Sequence, residues 1–149
     1  MTYKHIMVAV DGSESSVLAM QEAIKLSKNQ RSSLRIVHVL DDSFIHYGET
    51  YHDYASLLEH KRQNGNDILK KMGDLAHRAH IKYEIELLET KVLEGRVAEK
   101  LMEAAQLKPT DMLIMGTHGR RGLSHLFLGS VAENVMRIAT LPILLVRSK

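Results

Sequence analysis

Five short apolar runs alternate with four stretches of helical periodicity along this chain, and that alternation restricts the fold more tightly than any composition figure. The first run, Ile6 to Val10, stops at Asp11-Gly12-Ser13. A helical pattern follows over Glu14 to Lys28, with Val17, Met20, Ala23, Ile24 and Ser27 on one face. Leu34 to Leu40 reads as a second strand, closed by Asp41-Asp42-Ser43. The next helix runs from near Asp53 to His80, its stripe carrying Tyr54, Leu57, Leu58, Lys61, Gly65, Ile68, Leu69, Met72, Leu75, Ala76 and Ala79. Gly65 on that stripe costs about 1 kcal/mol of helix propensity, so a bend or a close helix contact is expected there. A third strand over Ile81 to Leu87 leads into a helix from Arg96 to Gln106, with Val97, Leu101, Ala104 and Ala105 inward and Pro109 as its stop. Met112 to Met115, the helical pattern Val131 to Ile138 and the run Ile143 to Val146 complete the series. Strands joined in this way by crossover helices make a parallel sheet with helices on both faces.

The runs also carry information about strand order. The first and fourth are continuously apolar, as strands covered on both faces must be. The third alternates Ile81, Tyr83, Ile85 and Leu87 with Lys82, Glu84 and Glu86, the pattern of an edge with one wet face. An order of 3-2-1-4-5 satisfies both observations. It sets the ends of strands one and four side by side, at the point where their connections diverge to opposite faces, and ligands of open α/β sheets sit in that crevice. Asp11 and the segment beginning at Gly116 would face each other there. The same order leaves strand five as the second edge. Its Ile143-Leu144-Leu145-Val146 run is apolar on both faces, with Pro142 at its start where a missing N–H does little harm. A homodimer joined antiparallel through strand five is the expectation that covers this edge.

The fourth strand ends in Gly116-Thr117-His118-Gly119; after nine intervening residues come Gly129-Ser130 and a helix. A strand, a glycine-rich loop and a helix N-terminus form an anion site, because the first helical turn carries unpaired N–H groups and the positive end of the dipole. Ser130 as N-cap with Glu133 three residues on has the form of a capping box. Arg120 and Arg121 add positive charge within the loop, and Gly122 adds backbone freedom. No glycine is followed by Lys-Ser or Lys-Thr, and the spacing is not G-x-G-x-x-G, so neither common nucleotide motif is present.

The spacing G-x2-G-x9-G-S resembles the signature of the universal stress protein family, in its nucleotide-binding branch. The opening Met7-Val8-Ala9-Val10-Asp11-Gly12-Ser13 and the closing Leu141-Pro142-Ile143-Leu144-Leu145-Val146 resemble the same family, so the likeness covers essentially the whole chain. The resemblance implies a Rossmann-like α/β fold with the order 3-2-1-4-5. It implies that Ala9, Val10 and Asp11 line the nucleoside end of a site and that Val39 offers backbone groups to an adenine edge. Met115, Gly116, His118, Gly119, Gly129, Ser130 and Val131 would hold ribose and phosphates. The ligand so implied is ATP, with ADP or AMP as alternatives, and Mg2+ or Mn2+ held through the phosphates. Ala132 stands where some relatives carry a hydroxyl residue, which removes one phosphate contact. Asp11 on its own reading has two roles open to it: capping the first helix, or reaching a ribose hydroxyl or a metal-bound water.

At 149 residues one domain spanning 1–149 is expected. A formal net charge of +2, scattered Lys and Arg, and 5% aromatics argue against a nucleic-acid partner. The absence of cysteine excludes disulfides and thiolate metal sites. No apolar run approaches the roughly 20 residues of a membrane span, and no charged-then-apolar leader opens the chain, so a cytoplasmic location is expected. His118 is read as a donor to phosphate or backbone, not as an acid or base. The segment His46 to Asp53 holds two His and two carboxylates without metal-ligand spacing and reads as a solvated loop. Ser13, Ser15 and Ser16 lack paired His and Asp and read as cap residues. With no residue placed in a catalytic role, the leading reading is a regulatory stress-response nucleotide-binding module. A slow ATPase, or a nucleotidyl or phosphoryl transferase, is the alternative. A scaffolding dimer without nucleotide is the third reading, and the presence of the glycine loop argues against it.

Overall fold

The computed structural model describes residues 2–41, 51–90, 97–118 and 128–148. The elements are β1 (His5–Ala9), α1 (Glu14–Gln30), β2 (Ser33–Asp41), α2 (Tyr51–Arg78), β3 (Tyr83–Thr90), α3 (Val97–Leu107), β4 (Met112–Gly116), α4 (Ser130–Ile138) and β5 (Ile143–Val146). The strands form one parallel sheet in the order β3-β2-β1-β4-β5. Both expectations about strand position hold: continuously apolar β1 and β4 are central, and alternating β3 is an edge.

Period-two alternation along each central strand feeds two core layers. Ile6 and Val8 of β1, Leu34 and Ile36 of β2 and Ile114 of β4 pack against Met20 and Ala23 of α1 and Leu69, Met72 and Ala76 of α2. Met7, Val37, Leu113 and Met115 point the other way, onto Ala98 and Leu101 of α3 and Ala132 and Val135 of α4. Each fully buried aliphatic side chain removes enough apolar surface to contribute about 1.5–3 kcal/mol. The helical stripe predicted for α2 is the buried one, from Gly65 through Ile68, Leu69 and Met72 to Ala76. At Gly65 the close neighbour is the sheet and not another helix: a Cβ there would stand 2.9 Å from both His38 Cδ2 and Leu87 Cδ1.

The β3 edge is covered by ion pairs. Arg35 on β2, buried in an otherwise apolar strand, donates through Nε to Glu86 Oε2 at 2.9 Å and through Nη1 to the Ala104 carbonyl at 2.6 Å. It thereby ties β2, β3 and the last turn of α3 together, with its charge at the negative end of that helix. Lys108 reaches Glu84 at 3.2 Å on the same face, and Arg62 of α2 reaches Glu89 at 2.8 Å on the other.

Candidate functional site

At the carboxyl end of β1 the chain turns through Asp11 and Gly12, the latter at φ 84, into α1. Ser13 is the N-cap: its Oγ accepts from Ser16 N–H at 3.2 Å. The capping role considered for Asp11 is therefore filled by Ser13. Asp11 Oδ1 instead accepts from Ser13 N–H at 2.9 Å, a turn that lets the carboxylate support the cap from two residues upstream.

Ser15, in the first turn of α1 and buried, is wedged against Gly116 at the end of β4. A Cβ on Gly116 would meet Ser15 Oγ and stand 2.9 Å from the Ser15 carbonyl carbon. Gly116 is glycine because α1 begins there. His118 N–H donates to the same Ser15 Oγ at 3.5 Å. Sequence reading took Ser15 for a cap residue. Its contact with Gly116 spans a hundred residues, and no local pattern signals it.

Beyond β4, Thr117 is buried and held on both sides. Its N–H donates to the Val146 carbonyl at 3.0 Å, and its carbonyl accepts from Gly129 N–H at 2.6 Å. That second bond closes the glycine segment, bringing the start of α4 against the end of β4. It also sets the register of the helix. Gly129 is the N-cap and brings no side chain to cap the helix, and Glu133 N–H bonds to the Gly129 carbonyl at 3.0 Å. The predicted capping box does not form. Ser130 is one residue too far along to cap, and the Glu133 carboxylate pairs with Arg137 at 3.5 Å. Among the described residues, the first turn of α4 thus keeps N–H groups at the positive end of the helix dipole with no cap from the N-cap side chain.

Of the remaining predicted positions, Ala9 and Met115 are register partners on β1 and β4. With Val39 and Val131 they belong to one apolar wall on the α3–α4 side of the sheet. Val10 closes β1 on the opposite face. His118 Nδ1 lies 2.9 Å from Thr117 Oγ1, while its Nε2 is buried without a hydrogen-bond partner among the described residues. The structure brings together Ala9, Val10, Asp11, Met115, Gly116, His118, Gly129, Ser130 and Val131 around the ends of β1 and β4, with Val39 on the adjoining strand. Gly119, Arg120, Arg121 and Gly122 lie outside the described residues, as does most of the His46–Asp53 segment. Among the described residues no cluster of three or more His, Asp or Glu side chains could hold a metal ion.

A cavity of about 260 Å³ lies at the other end of the sheet, lined by residues that include Arg35, Glu84 and Lys108. The charges of those three pair with one another and with Glu86.

Compared with known proteins, the chain matches the Universal stress protein family over residues 2–147. The chain belongs to that family. This universal stress protein is 32% identical over 145 residues to Universal stress protein MJ0531 of Methanocaldococcus jannaschii, a match covering 97% of this chain and 82% of the relative. It is 28% identical to Universal stress protein YxiE of Bacillus subtilis, covering 97% and 99% of the two chains. Among solved structures, a universal stress protein family member from Burkholderia pseudomallei superposes with a TM-score of 0.80 at 28% identity, covering 98% and 97%. Three more distant neighbours, each with a TM-score of 0.69, were solved with adenine nucleotides. They are a universal stress protein with cAMP (23% identity), one from Archaeoglobus fulgidus with dAMP (19%) and one from Arabidopsis thaliana with AMP bound (16%). At those identities the likeness to this universal stress protein is one of fold.

Proposed function

We propose that this universal stress protein binds an adenine nucleotide, ATP before ADP or AMP, in the crevice at the carboxyl ends of β1, β2 and β4. In this reading it is a cytoplasmic, homodimeric stress-response module with at most slow hydrolysis. The observation that carries the reading is the Thr117–Gly129 hydrogen bond, which sets a helix N-terminus with a glycine N-cap beside the end of β4. Backbone N–H groups at such a terminus suit phosphate oxygens. Among the described residues the buried Nε2 of His118 has no hydrogen-bond partner, and a ligand oxygen would supply one. The apolar wall of Ala9, Val39, Met115 and Val131 suits a base and sugar better than a bare anion. Asp11 at the rim is the group for a ribose hydroxyl. The adenine nucleotides bound by distant neighbours of the same fold support this choice of ligand.

A divalent cation fits only in one way. With no cluster of ligating side chains among the described residues, Mg2+ or Mn2+ would be held by the phosphates. The cation would neutralise phosphate charge beside the helix terminus. The test is direct. Mass spectrometry of the small molecules released on denaturing purified protein is expected to find an adenine nucleotide, and calorimetry is expected to favour ATP over GTP. Equal affinity for the two would remove the adenine assignment, and no binding of either would remove the site.

A further inference from the structure

We propose that His38 is the positioning residue for the nucleoside end of the site, acting through the peptide group between Val10 and Asp11. This rests on the nucleotide reading above. The pairing of β1 with its neighbours ends at Ala9, and Val10 N–H makes one last bond to the Val37 carbonyl at 2.9 Å. Past that point the strands diverge, and the Val10 carbonyl lies 2.7 Å from His38 Nδ1. A carbonyl oxygen only accepts, so Nδ1 carries the proton. The peptide group is planar, so holding the Val10 oxygen also orients the Asp11 N–H on its far side. Two residues on, Ser13 N–H donates to Asp11 Oδ1, so Asp11 is fixed from before and from behind.

His38 cannot touch a ligand on the apolar wall itself. Side chains alternate along β2, placing Val39 on the α3–α4 side and His38 on the α1–α2 side, beneath α2. There the ring is confined by Gly65, where a Cβ would be 2.9 Å from Cδ2 and 3.4 Å from Nε2. The ring is therefore seated against α2, and its Nδ1–H is directed to the backbone that carries Asp11.

The experiment titrates the full chain with ATP and, separately, with inorganic tripolyphosphate, which uses the phosphate end alone. His38→Leu keeps bulk and removes the donor; His38→Asn places Nδ2 where Nδ1 stands. His38→Leu is expected to weaken ATP about tenfold or more, because the Val10–Asp11 peptide is no longer held for the nucleoside, while tripolyphosphate changes by less than about twofold. His38→Asn is expected to recover ATP affinity to within about threefold of the original. Unchanged ATP binding in His38→Leu, parallel loss of both ligands, or no recovery with Asn overturns the proposal. Long-range 1H–15N NMR of the unaltered protein supplies an independent check. Nδ1 is expected to be the protonated nitrogen, and the other tautomer overturns the proposal whether or not a variant folds. If the unaltered protein binds neither ATP nor tripolyphosphate, the nucleotide reading itself has failed.

Discussion

Two glycines of the same motif do different work. Gly116 is required by the protein itself, because the backbone of Ser15 occupies the space a Cβ would need. Gly129 is not. Its φ of −65 and ψ of 157 are ordinary extended values open to any residue, so backbone conformation does not require glycine there. Gly129→Val is therefore expected to lower stability only by about 1 kcal/mol, through a poorer N-cap. It should nevertheless abolish the rise in melting temperature that ATP produces. Thermal unfolding with and without ATP checks both halves, and a variant that keeps its ATP-dependent shift would remove Gly129 from the site. Gly116 and Gly129 both stand out in the sequence by spacing alone. That Gly116 answers to Ser15 follows only from a contact between distant residues.

Among the elements, the two helices that frame the site begin differently, and that difference can be measured. Ser13 Oγ accepts from Ser16 N–H, so Ser13→Ala is expected to cost about 1 kcal/mol. Ser130 looks like the same device in sequence but sits inside α4, one position past the cap. Ser130→Ala should leave the unfolding free energy unchanged within about 0.5 kcal/mol, as measured by denaturant titration. Equal losses at the two serines would restore the capping box. The α2 seat offers a second measurement. Gly65→Ala would gain about 1 kcal/mol in helix propensity. It would also push a Cβ to within 2.9 Å of a His38 ring held in place by Val10. Overpacking of that kind costs about 1–3 kcal/mol, so a net loss of stability is expected; a stabilised variant would mean that the ring yields. The α2 stripe and the edge character of β3 were both legible, since each is a periodicity of neighbouring residues. The role of Arg35 was not, because its partners Glu86 and Ala104 come from two other elements.

For the whole molecule, the two sheet edges are unequal. β3 is bordered by Glu84, Glu86 and Glu89 with their basic partners. β5 has no such charges, and its four residues are half-buried, Ile143 and Leu145 against one core layer and Leu144 and Val146 against the other. The Pro142 and Val146 carbonyls accept from β4, at Leu113 and Thr117. By alternation, the backbone groups of Ile143 and Leu145 point outward. We propose that a second copy pairs with them about a two-fold axis. Leu145→Pro would remove an outward N–H while leaving the β4 bonds in place, a change that a solvent-facing edge tolerates. Sedimentation is expected to give a dimer for the unaltered protein and a folded monomer for Leu145→Pro. A monomeric unaltered protein at micromolar concentration would refute the interface.

The order of elements, the central places of β1 and β4, the edge place of β3 and the location of the crevice all follow from sequence by itself. They rest on which residues within a short window are apolar, and burial of that surface is the dominant favourable term in folding. The tertiary structure alone decided the one-residue register of α4, the wedge of Ser15 under Gly116, the His38 bond to Val10 and the seat of Gly65 on the sheet. Each is a directional or steric contact of a few ångströms between residues that lie far apart in sequence. Periodicity carries no record of such contacts, because it reports which face of an element is buried and not which atom it meets there.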